Sequence, residues 1–320
     1  MATLITGGAG FIGSCLAKLL IDEGEKPVIF DIAPVQGPLE ELSGRFLFER
    51  GSLAHLPVVM DCVERHGVDR IFHLGGMLSL PSENDPWGAF DANVVGTRNI
   101  LEAARIKKMR QVVYGSTIAT YSKDIPGDTI DDRTIQRPSS FYGITKTFGE
   151  LAGRWYHRRF GLDFRGVRLP SIVGPGAKTA HMSIYNAWAI EYPLKGLPYT
   201  LNCEPATRCP ALYYKDAAMA LKTLAAADAS RIETRVYNIA GITPPYSAQE
   251  LVDAVKRRIP GAQLSFRPET VVVELLRELG ALKISDECAR AEWGWRLSYP
   301  LEAMVDDFIA EFEKGKAYFL

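Results

Sequence analysis

Tyr142, Lys146 and Thr117 are the residues of this chain whose types and spacing best suit chemistry. Tyr142 and Lys146 are four positions apart in Tyr142-Gly143-Ile144-Thr145-Lys146, so in a helix they share one face. A phenol has a reference pKa of about 10, but a neighbouring ammonium favours the phenolate and lowers that pKa. We therefore predict that Tyr142 is a general base, that Lys146 activates it, and that Thr117 orients a substrate oxygen.

Such a base suits the oxidation of an alcohol. Tyr142 would take the proton from a substrate hydroxyl while a hydride leaves the same carbon for a nicotinamide cofactor. Lys146 would also donate a hydrogen bond to the nicotinamide ribose. A single Tyr or Lys in a helix is more often a packing or solvated residue, so the hypothesis requires a cofactor site elsewhere in the chain.

That cofactor site is indicated by the stretch Thr6-Gly7-Gly8-Ala9-Gly10-Phe11-Ile12-Gly13. It lies between an apolar, strand-like run at 2–5 and an apolar, helix-like run at 14–21. A dinucleotide pyrophosphate can bind there, against free backbone N–H groups and the positive end of the helix dipole. The three spaced glycines would permit a tight turn, close approach to the phosphates, and close packing of helix on strand.

Asp31 indicates which dinucleotide binds. It ends the second predicted strand, roughly 20 residues beyond the glycines, where an acidic residue accepts hydrogen bonds from the adenosine ribose. A carboxylate there would repel a 2′-phosphate, and the next residue is Ile32, not Arg. The sequence therefore predicts NAD rather than NADP.

The elements that must position these residues alternate between strands and helices. Segment 82–87 and most of 171–209 are predicted as loops. Strands are predicted at 26–30, 45–49, 70–74, 111–114, 164–169 and 235–239, and helices at 14–21, 56–66, 90–105, 140–160, 216–227, 249–258, 271–279 and 301–314. This alternation predicts an α/β fold with a Rossmann-type, doubly wound parallel sheet. Ligands of such folds bind outside the carboxyl ends of the strands, where Thr117 falls.

The order of these elements suggests two parts. We predict an NAD-binding Rossmann domain at 1–170, to which 210–240 return. A smaller, interleaved substrate-binding region would comprise 171–209 and 241–320, which begin with a loop-rich stretch containing many Pro and Gly residues.

The composition argues against several classes of function. The 320 residues carry 37 Lys and Arg against 38 Asp and Glu, which does not suggest a nucleic-acid partner. Apolar runs fall short of the roughly 20 residues that span a bilayer, and the first strand begins too early for a targeting peptide. Five scattered cysteines without a Cys-x-x-Cys pair indicate reduced thiols. We predict a cytoplasmic protein with a small-molecule substrate and no metal site.

The combined motifs resemble those of the extended short-chain dehydrogenase/reductase family, which includes NAD-dependent sugar epimerases and dehydratases. The resemblance covers nearly the whole chain. It is carried by Thr6 to Gly13, Asp31, His73-Leu74-Gly75-Gly76, Asn93 with Gly96-Thr97, Ser116-Thr117, and Tyr142 to Lys146. It implies NAD as cofactor, Thr117, Tyr142 and Lys146 as a catalytic triad, and a homodimer formed through the helices that follow Asn93 and contain Tyr142.

The resemblance also implies which residues contact the ligands. At the cofactor these are Gly7, Gly10, Phe11, Ile12, Gly13, Asp31, Ser52, Leu53, Leu74, Gly75, Gly76, Asn93, Ser116, Tyr142, Lys146, Leu169 and Ser171. At the substrate they are Ser79, Thr117, Tyr142, Ser171 and Thr179. Two features near the adenine depart from the family pattern, since Ser52 replaces a common Asp and Gly75-Gly76 replaces Ala-Ala.

A few positions separate the activities within this family. Dehydratases usually carry Asp-Glu directly after the catalytic Thr, where this chain has Ile118-Ala119. Nucleotide-sugar epimerases usually carry an Asn and an Arg where this chain has Ser171 and Cys209. Arg208 is adjacent, but a shift by one residue in an extended segment would point its side chain to the other face. The arginine clamp for a nucleotide diphosphate is therefore incomplete.

The chain is more similar to the short-chain type of L-threonine 3-dehydrogenases. The similar segments are Leu78-Ser79, Ser116 to Ala119, Arg137 to Lys146, Cys209-Pro210, and Ser285 to Trp295. This similarity predicts NAD-dependent oxidation of a secondary alcohol on a small polar substrate to a ketone. Loop 174–181 departs from those enzymes, and Lys178, Thr179 or His181 could meet a carboxylate or hydroxyls there.

Three alternatives stay open. The first is a 4-epimerase of nucleotide sugars, in which the hydride returns to the substrate. The second is a dehydrogenase of sugars or sugar acids. The third is an NAD-binding sensor without catalysis, although such a protein is expected to lose the Tyr-Lys pair that this chain keeps.

Overall fold

The computed structural model describes residues 2–125, 127–177, 183–280 and 282–319. Within these ranges the strands are β1 (Ala2–Thr6), β2 (Val28–Asp31), β3 (Leu47–Arg50), β4 (Val68–His73), β5 (Gln111–Thr117), β6 (Thr129–Ile130), β7 (Asp163–Leu169), β8 (Ser171–Val173), β9 (Tyr199–Leu201), β10 (Ala211–Tyr213), β11 (Val236–Asn238), β12 (Leu264–Phe266) and β13 (Lys283–Ile284).

Seven of these strands form one sheet in the order β11-β7-β5-β4-β1-β2-β3. Every pair in it is parallel. The chain runs outward from β1 to β3 and then crosses to β4 on the other side of β1, and dinucleotides bind at such a reversal of strand order. The predicted α/β fold with a doubly wound parallel sheet is confirmed.

Helices cover both faces of this sheet. They are α1 (Phe11–Asp22), α2 (Leu56–His66), α3 (Ser79–Asn84), α4 (Pro86–Ala89), α5 (Gly96–Ile106), α6 (Phe141–Phe160), α7 (Tyr185–Leu194), α8 (Tyr214–Ala226), α9 (Ala248–Arg258), α10 (Thr270–Gly280), α11 (Glu287–Trp293), α12 (Leu301–Lys314) and α13 (Lys316–Phe319), with a π-helix at Phe90–Val95 and 3₁₀ turns at Gly37–Leu42, Ile118–Thr120 and Ala229–Arg231. In the described ranges, none of the helices combines the length and apolarity that crossing a membrane would need.

The core lies in three clusters of buried apolar side chains. One cluster joins α1 and α8 to one face of the central sheet, and a second joins α2 and α5 to the other face. The strands between them are buried along most of their length, as expected of parallel strands covered on both faces. The third cluster gathers α7, α9 and α12 beside the sheet, with the short strands β8 and β10.

Two segments predicted as loops contain helices instead. The predicted loop at 82–87 holds the end of α3 and the start of α4, where the Asp85 carboxylate accepts a hydrogen bond from Gly88 N at 3.0 Å. Pro86 stands at the first position of α4, where proline is tolerated because that N–H has no helical partner. In the loop predicted at 171–209, helix α7 is buried on most of its sides, so it shows no one-sided apolar pattern.

Candidate active site

Most of the predicted site residues line one cleft of about 2400 Å³ at the carboxyl ends of the central strands. It takes in Gly7, Gly10, Phe11, Ile12, Gly13, Asp31, Ser52, Leu53, Leu74, Gly75, Gly76, Ser79, Ser116, Thr117, Tyr142, Lys146, Leu169 and Ser171. Thr179, Lys178 and His181 lie outside the described residues.

The turn from β1 to α1 is crowded enough to require glycine at two positions. Gly7 has φ +67, and a Cβ built on it would lie 2.7 Å from Gly75 N. A Cβ on Gly13 would lie 2.2 Å from Gly7 O, so Gly13 lets α1 pack closely on the turn. Helix α1 begins after Gly10 without a side-chain cap, which leaves its first N–H groups for a ligand. This arrangement fits a pyrophosphate at the start of α1.

Asp31 lies at the end of β2, on the edge of the same cleft. Its Oδ2 accepts a hydrogen bond from Ala9 N at 3.0 Å, and its Oδ1 accepts one from Ala33 N at 3.1 Å. These two bonds fix the carboxylate and leave further lone pairs on both oxygens. The geometry fits the hydroxyls of an adenosine ribose and, because it is anionic, disfavours a 2′-phosphate.

Helix α6 carries Tyr142 and Lys146 and lies unusually close to the sheet. It begins at Ser140, whose hydroxyl accepts a hydrogen bond from Gly143 N at 3.0 Å. A Cβ on Gly149 would lie 2.4 Å from Tyr114 Oη, and one on Gly153 would lie 2.1 Å from the Phe164 ring. Glycines at these two positions therefore let α6 approach β5 and β7.

That approach places Lys146 against the end of β5. Its Nζ donates a hydrogen bond to Gly115 O at 2.9 Å, and it lies 4.9 Å from the centroid of the Tyr114 ring and 5.8 Å from that of the Tyr142 ring. Burial lowers the pKa of Lys146 to about 8, and the charge of Glu150 opposes this shift. Tyr142 and Lys146 therefore lie on one face of α6, as their spacing predicted.

The pKa of Tyr142 is shifted in the direction opposite to the prediction. Burial raises the pKa of Tyr142 to about 12, whereas the sequence predicted that Lys146 would lower it. The expected lowering is wrong because desolvation of the phenolate exceeds the attraction of an ammonium that is held on Gly115 O.

Thr117 ends β5 and, like Tyr142 and Lys146, lines the cleft. Its Oγ1 accepts a hydrogen bond from Ala119 N at 3.2 Å. A hydroxyl that accepts one bond can still donate its own hydrogen. Thr117 can therefore donate to an oxygen of a substrate bound between it and Tyr142.

Asn93, predicted at the cofactor, lies one layer behind the cleft. It is 2% exposed. Its Nδ2 donates to Met77 O at 3.1 Å and to Thr145 Oγ1 at 3.0 Å, and its Oδ1 accepts from Met77 N at 2.7 Å. Asn93 thus ties the turn after Gly76 to helix α6, and it shapes the cleft rather than lining it.

The far end of the cleft is lined by small polar side chains. Ser171 Oγ lies 2.7 Å from Ser183 Oγ. Cys209 is buried there, and burial raises the pKa of its thiol to about 12, so the group is neutral. Arg208 instead pairs with Glu250 at 3.1 Å and donates to Pro245 O, so its guanidinium lies at the start of α9 and outside the lining of the cleft.

Sequence reasoning missed several aromatic residues of the cleft. Tyr214 stacks on Phe11, with ring centroids 5.2 Å apart, and Phe319 packs against Gly176. Tyr214 directly follows β10, so its place after the carboxyl end of a strand was a usable signal. Phe319 lies far away in the sequence, and the pattern of the chain offers no signal for its position.

Comparison with known proteins shows the same pattern over most of the chain. Residues 3–240 match the sequence profile of the NAD dependent epimerase/dehydratase family. The mitochondrial L-threonine 3-dehydrogenase of Sus scrofa is 29% identical over 308 residues, which cover 94% of this chain and 80% of that protein.

Solved structures show a similarity to the same kind of protein. The GalE-like L-threonine dehydrogenase from Cupriavidus necator, in its holo form, is 29% identical with a TM-score of 0.88, and the match covers 98% of this chain and 100% of that one. The L-threonine dehydrogenase from Clostridium difficile is 28% identical with a TM-score of 0.88, over 98% of both chains.

Proposed function

Because the chain belongs to the NAD dependent epimerase/dehydratase family, we propose that it oxidises the secondary alcohol of L-threonine to a ketone. It is an NAD-dependent dehydrogenase, and its cofactor is NAD. The observation that carries the choice of substrate is the far end of the cleft, where Cys209 and Ser171 offer small neutral groups. A small substrate suits such a surface, whereas a nucleotide diphosphate is usually bound through an arginine guanidinium, and among the described residues Arg208 is turned away to Glu250.

The roles of the residues follow from their positions. NAD supplies the hydride acceptor when it is bound, with its pyrophosphate at the start of α1 and its ribose at Asp31. Thr117 donates a hydrogen bond to the substrate oxygen, and Tyr142 Oη takes the proton of the same hydroxyl. As the proton leaves the oxygen, a hydride leaves the carbon, and a ketone results. Only the phenolate form of Tyr142 can take this proton, and the ammonium of Lys146 acts to favour that form against the burial that raises the pKa of Tyr142.

We also propose that the protein is a homodimer. Helix α6 presents an exposed apolar row, which we call the α6 stripe, formed by Ile144, Phe148, Leu151 and Trp155. Leu151 is 57% exposed and Trp155 is 48% exposed. These positions recur at the helical period, and an exposed row of large apolar side chains is typical of a protein–protein interface. The stripe lies on the helix expected to form the dimer.

The two-part division and the location are proposals of the same kind. The assignment of 210–240 to the NAD-binding domain is supported by β11, which joins the central sheet. The substrate-binding region at 171–209 and 241–320 is supported by the separate cluster around α7, α9 and α12. A cytoplasmic location is supported by the free cysteines.

The test of substrate is the growth of NADH absorbance with NAD and a panel of alcohols. We expect NADH to form with L-threonine, and not with UDP-glucose or UDP-galactose. NADH formed only with sugars or sugar acids would reassign the substrate within the same chemistry. Interconversion of the two UDP-sugars without net NADH would overturn the proposal in favour of a 4-epimerase.

A further inference from the structure

Glu150 is a fully buried carboxylate one helical turn beyond Lys146 on α6. Residues four apart on a helix are neighbours on its surface. Its Oε1 accepts a hydrogen bond from Ser116 Oγ at 2.5 Å, and its Oε2 accepts one from Gln136 Nε2 at 2.8 Å. The third partner is Arg168, whose Nη2 lies 2.7 Å from Glu150 Oε2. Together these partners hold the Glu150 carboxylate in one position.

Within the part of the chain that the structure describes, the other titratable groups that face Lys146 are neutral. Tyr114 on β5 is buried, and its pKa is held well above the usual value by that burial. His73 on β4 is also buried, and burial lowers its pKa to about 3. Tyr142 on α6 is neutral at pH 7 for the same reason. The negative charge that acts on Lys146 is that of Glu150.

Further charges face Glu150 from the side away from Lys146. Arg168 on β7 lies 3.6 Å from Asp132 as well as pairing with Glu150. Burial raises the pKa of Asp132 to about 6, so it is anionic at pH 7. Arg154, one turn further along α6, also interacts with Glu150. Arg168 is therefore shared between two carboxylates, and the charge of Glu150 still acts on Lys146.

We propose that Glu150 is a positioning residue that keeps Lys146 protonated and, through Ser116, holds the end of β5 that carries Thr117 against α6. This proposal rests on the proposed function at one point, which is the role of Lys146 in the reaction. An ammonium taken out of water favours its neutral form. A fixed carboxylate one turn away offsets that tendency, and it does so in the apoprotein as well as during turnover.

The test measures the protonation of Lys146 itself. Competitive acetylation with acetic anhydride is carried out across a range of pH, and mass spectrometry of the peptide that contains Lys146 gives its reactivity at each pH. We expect the midpoint of Lys146 reactivity near pH 8 in the wild-type apoprotein. In Glu150→Gln it should fall by about one pH unit, because the compensating charge is lost. The loss of kcat/KM at alkaline pH should move in the same direction. An unchanged midpoint in a folded Glu150→Gln protein would overturn the proposal.

The matched control is Asp163→Asn, which removes a carboxylate paired with Arg165 at 2.8 Å at the opposite end of β7. It should leave the Lys146 midpoint unchanged, and a shift as large as that of Glu150→Gln would contradict the proposal. If Glu150→Gln does not fold, Glu150→Gln with Arg168→Met removes both buried charges, and the midpoint should fall by less than in Glu150→Gln, because the loss of the Arg168 cation acts in the opposite direction. A lowered midpoint with an unchanged pH profile of turnover would support Glu150 and count against the role of Lys146 in the proposed function.

Discussion

Desolvation shifts the pKa of three buried groups in and behind the cleft, and at Lys146 a neighbouring charge opposes it. Lys146 loses affinity for its proton through burial and regains part of it from Glu150. Tyr142 gains affinity for its proton through burial. His73 lies between two hydroxyls, with Nδ1 2.7 Å from Thr6 Oγ1 and Nε2 3.0 Å from Thr97 Oγ1. Burial and the charge of Lys146 both lower the pKa of His73, so the native state is poorly suited to a protonated ring.

This makes His73 a source of acid sensitivity. Its folded pKa of about 3 lies below the unfolded value of about 6.5, so the unfolded state binds the proton first. Stability is therefore lost as pH falls from about 6.5 toward 3. Between pH 7 and pH 5, we expect the free energy of unfolding of His73→Gln to fall by on the order of 2 kcal/mol less than that of the wild-type protein. Urea unfolding at both pH values measures this difference.

The control for that experiment is His55→Gln, because His55 is exposed. It should keep the wild-type dependence of the unfolding free energy on pH. Parallel pH dependences of wild-type protein and His73→Gln would show that the buried ring does not drive the acid sensitivity.

At the level of elements, the active site depends on how closely α6 packs on β5 and β7. Lys146 Nζ reaches Gly115 O only because the helix face below it carries no side chains at Gly149 and Gly153. Alanine is normally better than glycine inside a helix by about 1 kcal/mol. In this helix the usual order should be reversed.

We expect Gly153→Ala to destabilise the protein by about 1–3 kcal/mol, because its Cβ would lie 2.1 Å from the buried Phe164 ring. The free energy of unfolding in urea measures this. Gly261→Ala is the control, since a Cβ there meets nothing within 4 Å, and its stability should stay within about 0.5 kcal/mol of wild type. A stabilised Gly153→Ala protein would show that α6 is not in such close contact.

The same elements show what the sequence could and could not predict. Helix α2 was predicted at 56–66 because its apolar residues recur at the helical period, and the structure has it at Leu56–His66. The shared face of Tyr142 and Lys146 follows from spacing alone. The raised pKa of Tyr142 and the contacts of Glu150 could not be predicted, because they depend on residues of β5 and β7 that only the folded sheet brings beside α6.

At the scale of the whole molecule, the α6 stripe is a row of large apolar side chains that a partner could cover. Burial of one large apolar side chain contributes roughly 1.5–3 kcal/mol, and four such residues recur along this helix. A second copy that presents the same helix would cover them with matching apolar surface, as a two-fold interface requires.

We expect Leu151→Glu to convert a dimer into a monomer and to raise the dissociation constant at least about 100-fold, because it would bury two uncompensated carboxylates. Size-exclusion chromatography with light scattering reports the mass. Val271→Glu replaces a residue that is 68% exposed on α10 and should leave the mass unchanged. A monomeric wild-type protein, or a Leu151→Glu protein that stays dimeric, would remove the α6 stripe as the interface.

The most direct test of the whole account is NADH formation from L-threonine by wild-type protein and Tyr142→Phe under the same conditions. In Tyr142→Phe we expect turnover to fall about 10²–10⁴-fold, while NADH binding followed by fluorescence stays within a few-fold of wild type. Tyr192→Phe, at a tyrosine packed on Tyr199 and outside the lining of the cleft, should keep full turnover. Wild-type turnover in Tyr142→Phe would contradict the account, because the proton of the substrate would then leave by another route.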